Sequence, residues 1–444
     1  MPIGGGKFVT YNKVLPGAYI NFVSTSHAVQ LGTRGVVAMP LSLDWGEPAK
    51  VIPVDASDFN ATCLKTFAVG PTDKSLLLLT EALKRAKRVL VYRVNGAGQK
   101  ATATVGGLTV TAKYPGTAGN KISVGVIQNV DDTSKVDVVT LLSGREVDRQ
   151  VVPKTGGVSQ LKPNDYVVFT GASDITTGSV TALTGGTNST PTASDYANFL
   201  TAIEVEQFNV IAYPGTDASI QSLFISFVKR LRDDNGIKIV GVLANNSADY
   251  LGIINVANGV ILADGTVLPA EEAVAWVAGA TASAEVNQSL TNTAYDGAVD
   301  VDTKYTKSQL EQAIREGKFV FYPDNGKARV LTDINSMVTI PEGMSNDWTS
   351  NRVVRVMDSW ANDIARIFGQ MYMGLMTNGD LGRTLFKADI VSLGLQYQQI
   401  GAIQNFSADD VEVLQGESKR DVIVNCAIQP LDSMEKLYMT VTVK

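Results

Sequence analysis

Residues 210–243 have the sequence VIAYPGTDASIQSLFISFVKRLRDDNGIKIVGVL, and this stretch decides the fold of the chain. It begins with an apolar segment at 210–213, continues with an amphipathic pattern over 220–232, and ends with a nearly continuous apolar run at 237–243. Such a run is typical of a strand that is buried on both faces of a sheet. Strand, helix and strand at this spacing predict a βαβ unit with parallel strands.

The same alternation extends in both directions from this unit. Upstream we predict strands at 35–40 and 89–94 with a helix at 75–87 between them, and downstream helices at 193–203, 269–283 and 307–316 with a strand at 319–322. These elements share the apolar periodicities of helices and buried strands. We therefore predict an α/β core formed by residues 24–96 and 194–345.

Residues 97–193 have a different character. Thr, Val and Gly dominate, helical periodicity is absent, and short runs of alternating apolar and polar residues recur. This pattern predicts an all-β domain. Because the α/β pattern resumes directly after residue 193, we expect this domain to be inserted into the α/β part.

Residues 346–444 are predicted to form a third unit of helices followed by strands. The strongest helical pattern of the chain covers 352–374, and a second helix is expected at 381–400. The charged residues of the first helix fall mainly away from its apolar face: Arg352, Arg355, Asp358, Asp363 and Arg366.

The predicted fold class is a multidomain α+β or α/β protein, with a mixed-sheet α/β core, an inserted all-β domain and a C-terminal helix-plus-sheet domain that carries terminal strand arms.

Both ends of the chain have the composition of strands. Residues 1–23 are predicted to be an extended N-terminal arm, in which Phe8, Val9, Thr10 and Tyr11 favour a strand. Residues 436–444 alternate strictly and would span ~30 Å as a strand; the alternating residues are Leu437, Tyr438, Met439, Thr440, Val441, Thr442 and Val443. The two arms could pair within their own subunit or could add to an exposed sheet edge of a neighbour. In the second case the head-to-tail contact would generate rings or open helices.

Composition limits the classes of function. Charged residues make up 18% of the chain, below the ~25% of an average soluble domain. This deficit fits a β protein rich in Gly, Thr, Ala and Val, and it also fits a surface covered by partner subunits. The net charge of −6 and the absence of a long basic run argue against direct contact with nucleic acid.

Two distant cysteines form no disulfide framework and fit assembly in a reducing cytosol. We also expect neither a standard secretion leader nor a membrane-spanning segment.

Catalytic and cofactor-binding patterns are weak throughout. His27 is the only histidine, so a nucleophile–histidine arrangement would depend on it. The glycines before Lys7 lack the strand and the Ser or Thr of a phosphate loop, and residues 96–101 match G-x-G-x-x-A but precede a strand-like segment. Asp296, Asp300 and Asp302 do not have the spacing of a calcium loop. We therefore expect a non-enzymatic protein without a metal or cofactor; the alternatives are an α/β enzyme or nucleotide-binding protein with an appended β domain, and an adhesive β protein.

Several strings resemble contractile phage tail sheath proteins of the type found in Gram-positive myophages, prophages and tailocins. The ending, residues 430–443, is the most specific of them. The other strings that are similar to that family lie at residues 14–22, 34–41, 44–46, 114–120, 353–368 and 401–403. The similarity covers most of the chain and is weakest at residues 121–190.

The resemblance implies a structural subunit that polymerises around an inner tail tube through strand exchange and contracts to drive the tube through the envelope of a target cell. The implied partners are further copies of the chain, the inner tube protein, and the baseplate and tail terminator proteins, with no nucleic acid and no membrane insertion. The implied location is the tail of a virion or a tailocin particle, assembled in the bacterial cytoplasm. By its region alone, the helix with Arg352, Arg355, Asp358, Asp363 and Arg366 is the candidate for the element nearest the tube. These residues do not separate a phage tail, a tailocin and a related injection machine.

Overall fold

The structure, a computed structural model, describes residues 4–6, 17–19 and 31–443; the candidate arm residues Phe8, Val9, Thr10 and Tyr11, together with His27, lie outside the described residues. The strands are β1 (Gly4–Gly6), β2 (Gly17–Tyr19), β3 (Val36–Leu41), β4 (Val51–Asp55), β5 (Arg88–Arg93), β6 (Thr102–Val105), β7 (Leu108–Ala112), β8 (Ile122–Gln128), β9 (Lys135–Leu142), β10 (Arg145–Pro153), β11 (Val167–Gly171), β12 (Gly178–Ala182), β13 (Val210–Ala212), β14 (Val240–Ala244), β15 (Ile253–Val256), β16 (Val260–Leu262), β17 (Val267–Leu268), β18 (Ala298–Val301), β19 (Lys318–Phe319), β20 (Phe321–Asp324), β21 (Lys327–Val330), β22 (Ile403–Gln404), β23 (Val411–Gln415), β24 (Val422–Cys426) and β25 (Gln429–Pro430). The α-helices are α1 (Phe59–Phe67), α2 (Leu77–Leu83), α3 (Ala193–Ile203), α4 (Ala218–Lys229), α5 (Ala270–Ser283), α6 (Lys307–Arg315), α7 (Asn351–Ile367) and α8 (Asp380–Gln399).

A seven-stranded sheet organises the α/β part, in the order β19-β15-β14-β13-β3-β5-β4. All neighbouring pairs are parallel except β4 and β5, which are antiparallel. Helix α5 packs on one face of this sheet, and α3 and α4 pack on the other. The strand–helix–strand prediction for residues 210–243 is confirmed, since Val210 of β13 lies beside Val240 of β14 in a parallel pair.

Residues 101–184 form a sandwich of two antiparallel sheets. The first has the order β10-β9-β8-β12 and the second β11-β7-β6, and their facing side chains form a core that Trp45 and Ala68 of the α/β part also join. The chain leaves the α/β sheet after β5, passes through the sandwich, and returns to the same sheet through α3 and β13. The predicted fold class, with an all-β domain inserted in an α/β core, is confirmed.

The C-terminal unit contains α7 and α8 with two short two-stranded sheets, β22–β25 and β23–β24. Its core includes Trp360 of α7 and Ile390 and Tyr397 of α8, and the hairpin β23–β24 packs on α8. The predicted helix at 352–374 is shorter than expected, because the α-helix ends at Ile367 and a wider π-type turn follows at Phe368–Tyr372. No helix within residues 31–443 is long and apolar enough to cross a membrane.

Some expectations about single elements are wrong. The expected strand at 319–322 is divided between two sheets, since Phe319 pairs with β15 whereas Phe321 pairs with Val330 of β21. Helix α2 ends at Leu83, four residues before the predicted end, and is preceded by a 3₁₀ turn that Asp73 caps through the Ser75 amide. Strand β4 and helix α1 were not predicted.

Candidate assembly site

The C-terminal arm leaves the body of the protein at Glu435. Just before this point, β25 pairs with β22, and the Leu431 amide donates to the Ala402 carbonyl over 2.9 Å. The Glu435 carboxylate then accepts hydrogen bonds from the Thr291 hydroxyl at 2.6 Å and the Thr332 hydroxyl at 3.0 Å. Glu435 is therefore the last side chain that holds the arm to the body.

Beyond Glu435 the arm is exposed. The apolar side chains of Leu437 and Val443 are 85% and 90% exposed, and those between them are comparable. Residues 436–443 form no strand and no backbone hydrogen bond with the described residues. Residues 436–443 thus do not form the strand expected at 436–444, since they pair with no sheet edge of the described residues. A run of exposed apolar β-formers is a marker of an interaction surface.

Two sheets of the C-terminal unit are incomplete. Within the described part of the chain, β23 and β24 pair only with each other, as do β22 and β25. A two-stranded sheet is only marginally stable by itself, and each of its outer edges presents unpaired backbone groups. Leu414 of β23 and Ile423 of β24 also expose much of their side chains. Among the described residues, this unit therefore combines an unpaired arm with unpaired sheet edges.

The charged residues of α7 lie inside the protein. Arg352, Arg355, Asp358 and Asp363 are buried, and only Arg366 is partly exposed. This polar side of α7 packs against the α/β part rather than against solvent. Less than a tenth of each of these four residues is exposed to solvent.

Each buried charge of α7 is paired with a group distant in the sequence. Arg355 contacts Asp333 at 3.4 Å and also donates to the Gln288 carbonyl. Arg352 donates to the Asn287 carbonyl at 2.7 Å and to the Gly401 carbonyl at 3.1 Å. Pairing of this kind is what allows a charge to remain in a protein interior. These contacts fix the C-terminal unit to the α/β part.

Asp363 links α7 to α8 and to the segment that precedes β3. Its carboxylate accepts hydrogen bonds from the Tyr397 hydroxyl at 2.9 Å and from the Gly32 amide at 2.9 Å. Burial raises the pKa of Tyr397 well above its ordinary value, and the Asp363 carboxylate raises it further. Tyr397 therefore stays protonated and acts as a permanent donor to Asp363.

An open cavity of about 440 Å³ lies at the other end of α7, where the chain turns into α8. Phe368 and Phe386 line its apolar side, while Arg383 and Arg420 line its edge. Apolar side chains around this turn are exposed: Met373, Leu375, Met376 and Leu381. This end of α7 therefore exposes an apolar surface beside a cavity that arginines help to line.

The weak catalytic patterns of the sequence have structural roles. Residues 96–101 lead into strand β6 rather than into a helix, which does not fit dinucleotide binding. Asp296 pairs with Arg85 and accepts from the Trp276 indole at 2.9 Å, and Asp302 accepts from the Gly259 amide at 2.8 Å. Among the residues that the structure describes, no group of three or more His, Cys, Asp or Glu side chains could hold a metal ion.

Comparison with family models shows which protein family the chain belongs to. Four family models match successive parts of the chain: tail sheath protein Gp18 domain III N-terminal region at residues 34–94, phage tail sheath protein beta-sandwich domain at 95–188, phage tail sheath protein central domain at 189–336, and phage tail sheath C-terminal domain at 344–444. The crystal structure of a sheath tail protein from Desulfitobacterium hafniense matches with a TM-score of 0.86 and 43% identity, over 96% of this chain and 100% of that chain. The chain belongs to the phage tail sheath protein family.

Two further proteins are similar to this chain, one in sequence and one in fold alone. The phage-like element PBSX protein XkdK of Bacillus subtilis (strain 168) is 37% identical over 99% of this chain and 100% of that protein. The helical sheath of the anti-feeding prophage, solved in the contracted state, shares only the fold, with a TM-score of 0.58 and 14% identity over 97% of this chain and 99% of that chain. The sheath protein described here is thus a structural component of the tail of a virion or of a related particle.

Proposed function

We propose that this sheath protein polymerises by donating its C-terminal arm to the C-terminal unit of a neighbouring copy. The observation that carries the proposal is the coexistence of an unpaired, apolar arm at residues 436–443 and open sheet edges at β23–β24 on the same chain. The arm can extend ~30 Å as a strand, long enough to lie along the five-residue strands of that hairpin. A donor and an acceptor on one chain produce a head-to-tail polymer, and the N-terminal arm with Phe8, Val9, Thr10 and Tyr11 is proposed as a second donor.

The arm model is tested by a truncation that ends the chain at Glu435. Because this truncation keeps the hydrogen bonds of Glu435 to Thr291 and Thr332, the body should fold and remain monomeric. Negative-stain microscopy should show long striated tubes for the full chain and none for the truncation. Tubes of normal length from the truncated protein would overturn the model.

A pair of point variants separates strand pairing from side-chain chemistry. Val441→Pro removes a backbone donor and is expected to prevent tube growth, since proline cannot take part in a central ladder. Val441→Thr keeps the backbone and the strand propensity, so tubes should still form. Equal assembly of the two variants would show that main-chain pairing of the arm is not required.

We propose that the polymer surrounds an inner tube and that the contact lies at the turn between α7 and α8. We place the contact at the exposed apolar side chains around the 440 Å³ cavity, because these are accessible to a partner. The charged side chains of α7 are buried: Arg352, Arg355, Asp358 and Asp363. A contact there would keep the helix near the tube while its charges hold the subunit together. Leu375→Ser with Leu381→Ser should weaken capture of the cognate tube protein, whereas Val205→Ser, at an exposed apolar site of the α/β part, should not.

Contraction is the remaining part of the proposed function. The likeness in fold to a sheath solved in the contracted state supports it, as do arms that can stay paired while folded bodies exchange contacts. The signal would come from a baseplate, a terminator protein would cap the far end, and assembly would take place in the host cytoplasm. Acid or urea treatment of purified tubes should give shorter, wider tubes in electron micrographs. Dissociation to monomers without a change of diameter would contradict contraction.

A further inference from the structure

The methionines of the chain are concentrated in its last quarter. Eight of the ten lie between residues 337 and 439: Met337, Met344, Met357, Met371, Met373, Met376, Met434 and Met439. Of the other two, Met39 is buried and Met1 lies outside the described residues. Methionine is common at binding surfaces because its side chain is flexible and polarizable, and its sulfur can be oxidised. The oxidisable thioethers of this protein therefore lie mainly in and next to the C-terminal unit.

Two of these methionines lie on or beside the C-terminal arm and are open to solvent. Met439 is 73% exposed and Met434 is fully exposed, whereas Met337 is 5% exposed. Residues 436–443 also form no backbone hydrogen bond with the described residues. A small oxidant dissolved in water can therefore reach the sulfur of Met439 in the free chain.

The two thiols are poorer targets for a peroxide than these thioethers. Cys63 is fully buried. Burial, followed by the Asp410 carboxylate, raises the pKa of Cys426 to about 11. At neutral pH Cys426 is therefore almost entirely protonated, and the reactive form of cysteine is the thiolate. A thioether has no such proton to lose, so its oxidation depends on access to the sulfur.

Met439 belongs to the apolar side of the arm. Successive side chains of a strand point to opposite sides. Four apolar side chains of the arm share one side: Leu437, Met439, Val441 and Val443. The hairpin β23–β24 is two-sided as well, since Val413 and its partner Val424 pack on the core of the C-terminal unit. An arm that adds to this hairpin with its apolar side toward that core takes the Met439 thioether out of water.

Oxidation changes this side chain from apolar to polar. The sulfur of Met439 attacks the O–O bond of hydrogen peroxide, one oxygen atom is transferred to the sulfur, and the other leaves as water. The sulfur is oxidised by two electrons and the peroxide is reduced, so no further reactant is needed. The product is a polar, chiral sulfoxide. Burial of a polar group is costly unless it is hydrogen-bonded, and the valines beside the docked arm offer no donor from their side chains.

We propose that Met439 is an oxidation site that controls donation of the arm, with a peroxide as the oxidant. This inference rests on the proposed strand exchange and adds a form of regulation to it. The reduced arm joins a neighbouring copy, whereas the sulfoxide keeps the arm in water. Because docking buries Met439, oxidation blocks the assembly of free subunits and does not take apart tubes that have already formed.

The first experiment oxidises the full chain at a concentration below that at which tubes form. Mass spectrometry after treatment with hydrogen peroxide should find the sulfoxide at Met439 and Met434, and none at the buried Met39. After the peroxide is removed with catalase, the concentration needed for tubes in negative-stain micrographs should rise roughly tenfold or more. Tubes at the original concentration from protein that is fully oxidised at Met439 would overturn the proposal.

Two leucine variants locate the effect. Met439→Leu keeps the apolar volume and should form tubes before and after peroxide treatment. Met434→Leu, at an exposed site just before the arm, is the matched control and should stay as sensitive as the unchanged chain. Equal sensitivity of the two variants would assign the effect to another methionine and would refute the role of Met439.

The assembled state gives an independent measurement. In tubes that form before treatment, Met439 should be oxidised roughly tenfold more slowly than in free subunits, because the sulfur is covered. Equal rates in tubes and free subunits would contradict the inference. The truncation at Glu435 separates this result from the proposed function. If the truncation forms no tubes but the oxidised chain does, only the inference on Met439 fails. Tubes from the truncation would remove the strand-exchange model and this inference together.

Discussion

Arg232 and Asp358 lie 126 residues apart in the chain, and they form a bidentate ion pair with distances of 2.6 and 2.8 Å. Both side chains are buried. Burial alone would lower the pKa of Arg232, but the Asp358 carboxylate outweighs it and holds the pKa above its ordinary value. Because Arg232 follows α4 and Asp358 lies on α7, this pair connects the α/β part to the C-terminal unit.

Asp358→Asn should destabilise the protein strongly. The variant keeps the shape of the side chain but leaves the Arg232 guanidinium buried without a counter-charge, which costs roughly 3–5 kcal/mol. The change is measured as the loss of free energy of unfolding in urea, on the Glu435 truncation so that assembly does not interfere. The control is Glu204→Gln, which breaks the exposed pair with Arg230 and should cost less than about 1 kcal/mol. Equal losses in the two variants would contradict a special role for the buried pair.

Arg93→Lys should loosen the sandwich from the α/β part. The Arg93 guanidinium donates to the Pro115 carbonyl at 2.6 Å, the Gly46 carbonyl at 3.1 Å and the Asn188 side chain at 3.1 Å. Lysine keeps the charge but lacks the planar fork that reaches all three acceptors. We expect faster proteolysis between residues 184 and 192, with the sandwich itself intact. Arg145→Lys, at an exposed position of the sandwich, is the control and should leave the cleavage rate unchanged.

Glu435→Ala should free the root of the C-terminal arm without unfolding the body. The variant removes the acceptor of the Thr291 and Thr332 hydroxyls, so hydrogen exchange at Leu431 and in β25 should become faster. Exchange in β23–β24 should stay the same. Glu412→Ala, which removes an exposed contact to Asn425, is the matched control. Unchanged exchange at Leu431 would show that Glu435 does not anchor the arm.

The two cysteines should react slowly with alkylating agents at pH 8. Burial, and then the Asp73 carboxylate, raises the pKa of Cys63 to about 11, and burial, followed by Asp410, raises that of Cys426 to about 11. Iodoacetamide labelling followed by mass spectrometry should therefore be much slower in the folded protein than in urea, since the thiolate is the reactive form. Rapid native labelling of the fully buried Cys63 at pH 8 would contradict this.

The same pKa shifts predict in which direction the stability of the protein changes with pH. Below pH 9 the thiols are neutral in the folded and the unfolded states. Between about pH 9 and 11 the unfolded thiols lose their protons first, so the stability should fall as the pH rises through that window. Cys63→Ala should reduce this alkaline loss, which urea unfolding at pH 8 and pH 10.5 would measure.

Local periodicity was enough to predict most of the helices and strands of the fold. The pattern at 210–243 predicted β13, α4 and β14 within a few residues, and the limits of α3 were predicted as observed. Elements with mixed composition were missed, such as β4, whose Pro53 is unusual for a strand. Strand β4 tolerates this proline because it lies at the edge of the sheet, and its edge position is a property of the sheet and not of the local sequence.

The sequence by itself determined the class of elements, the insertion of a β domain, the resemblance to sheath proteins and the apolar alternation of the C-terminal arm. The tertiary structure alone decided where the charges of α7 lie. Helical periodicity shows that Arg355 and Asp358 are not on the apolar stripe, but it does not show what covers the other side. Their partners Asp333 and Arg232 come from other parts of the chain, so only the folded arrangement could turn an apparent polar surface into a buried network. The physical reason is that burial of a charge depends on long-range pairing, which no local pattern encodes.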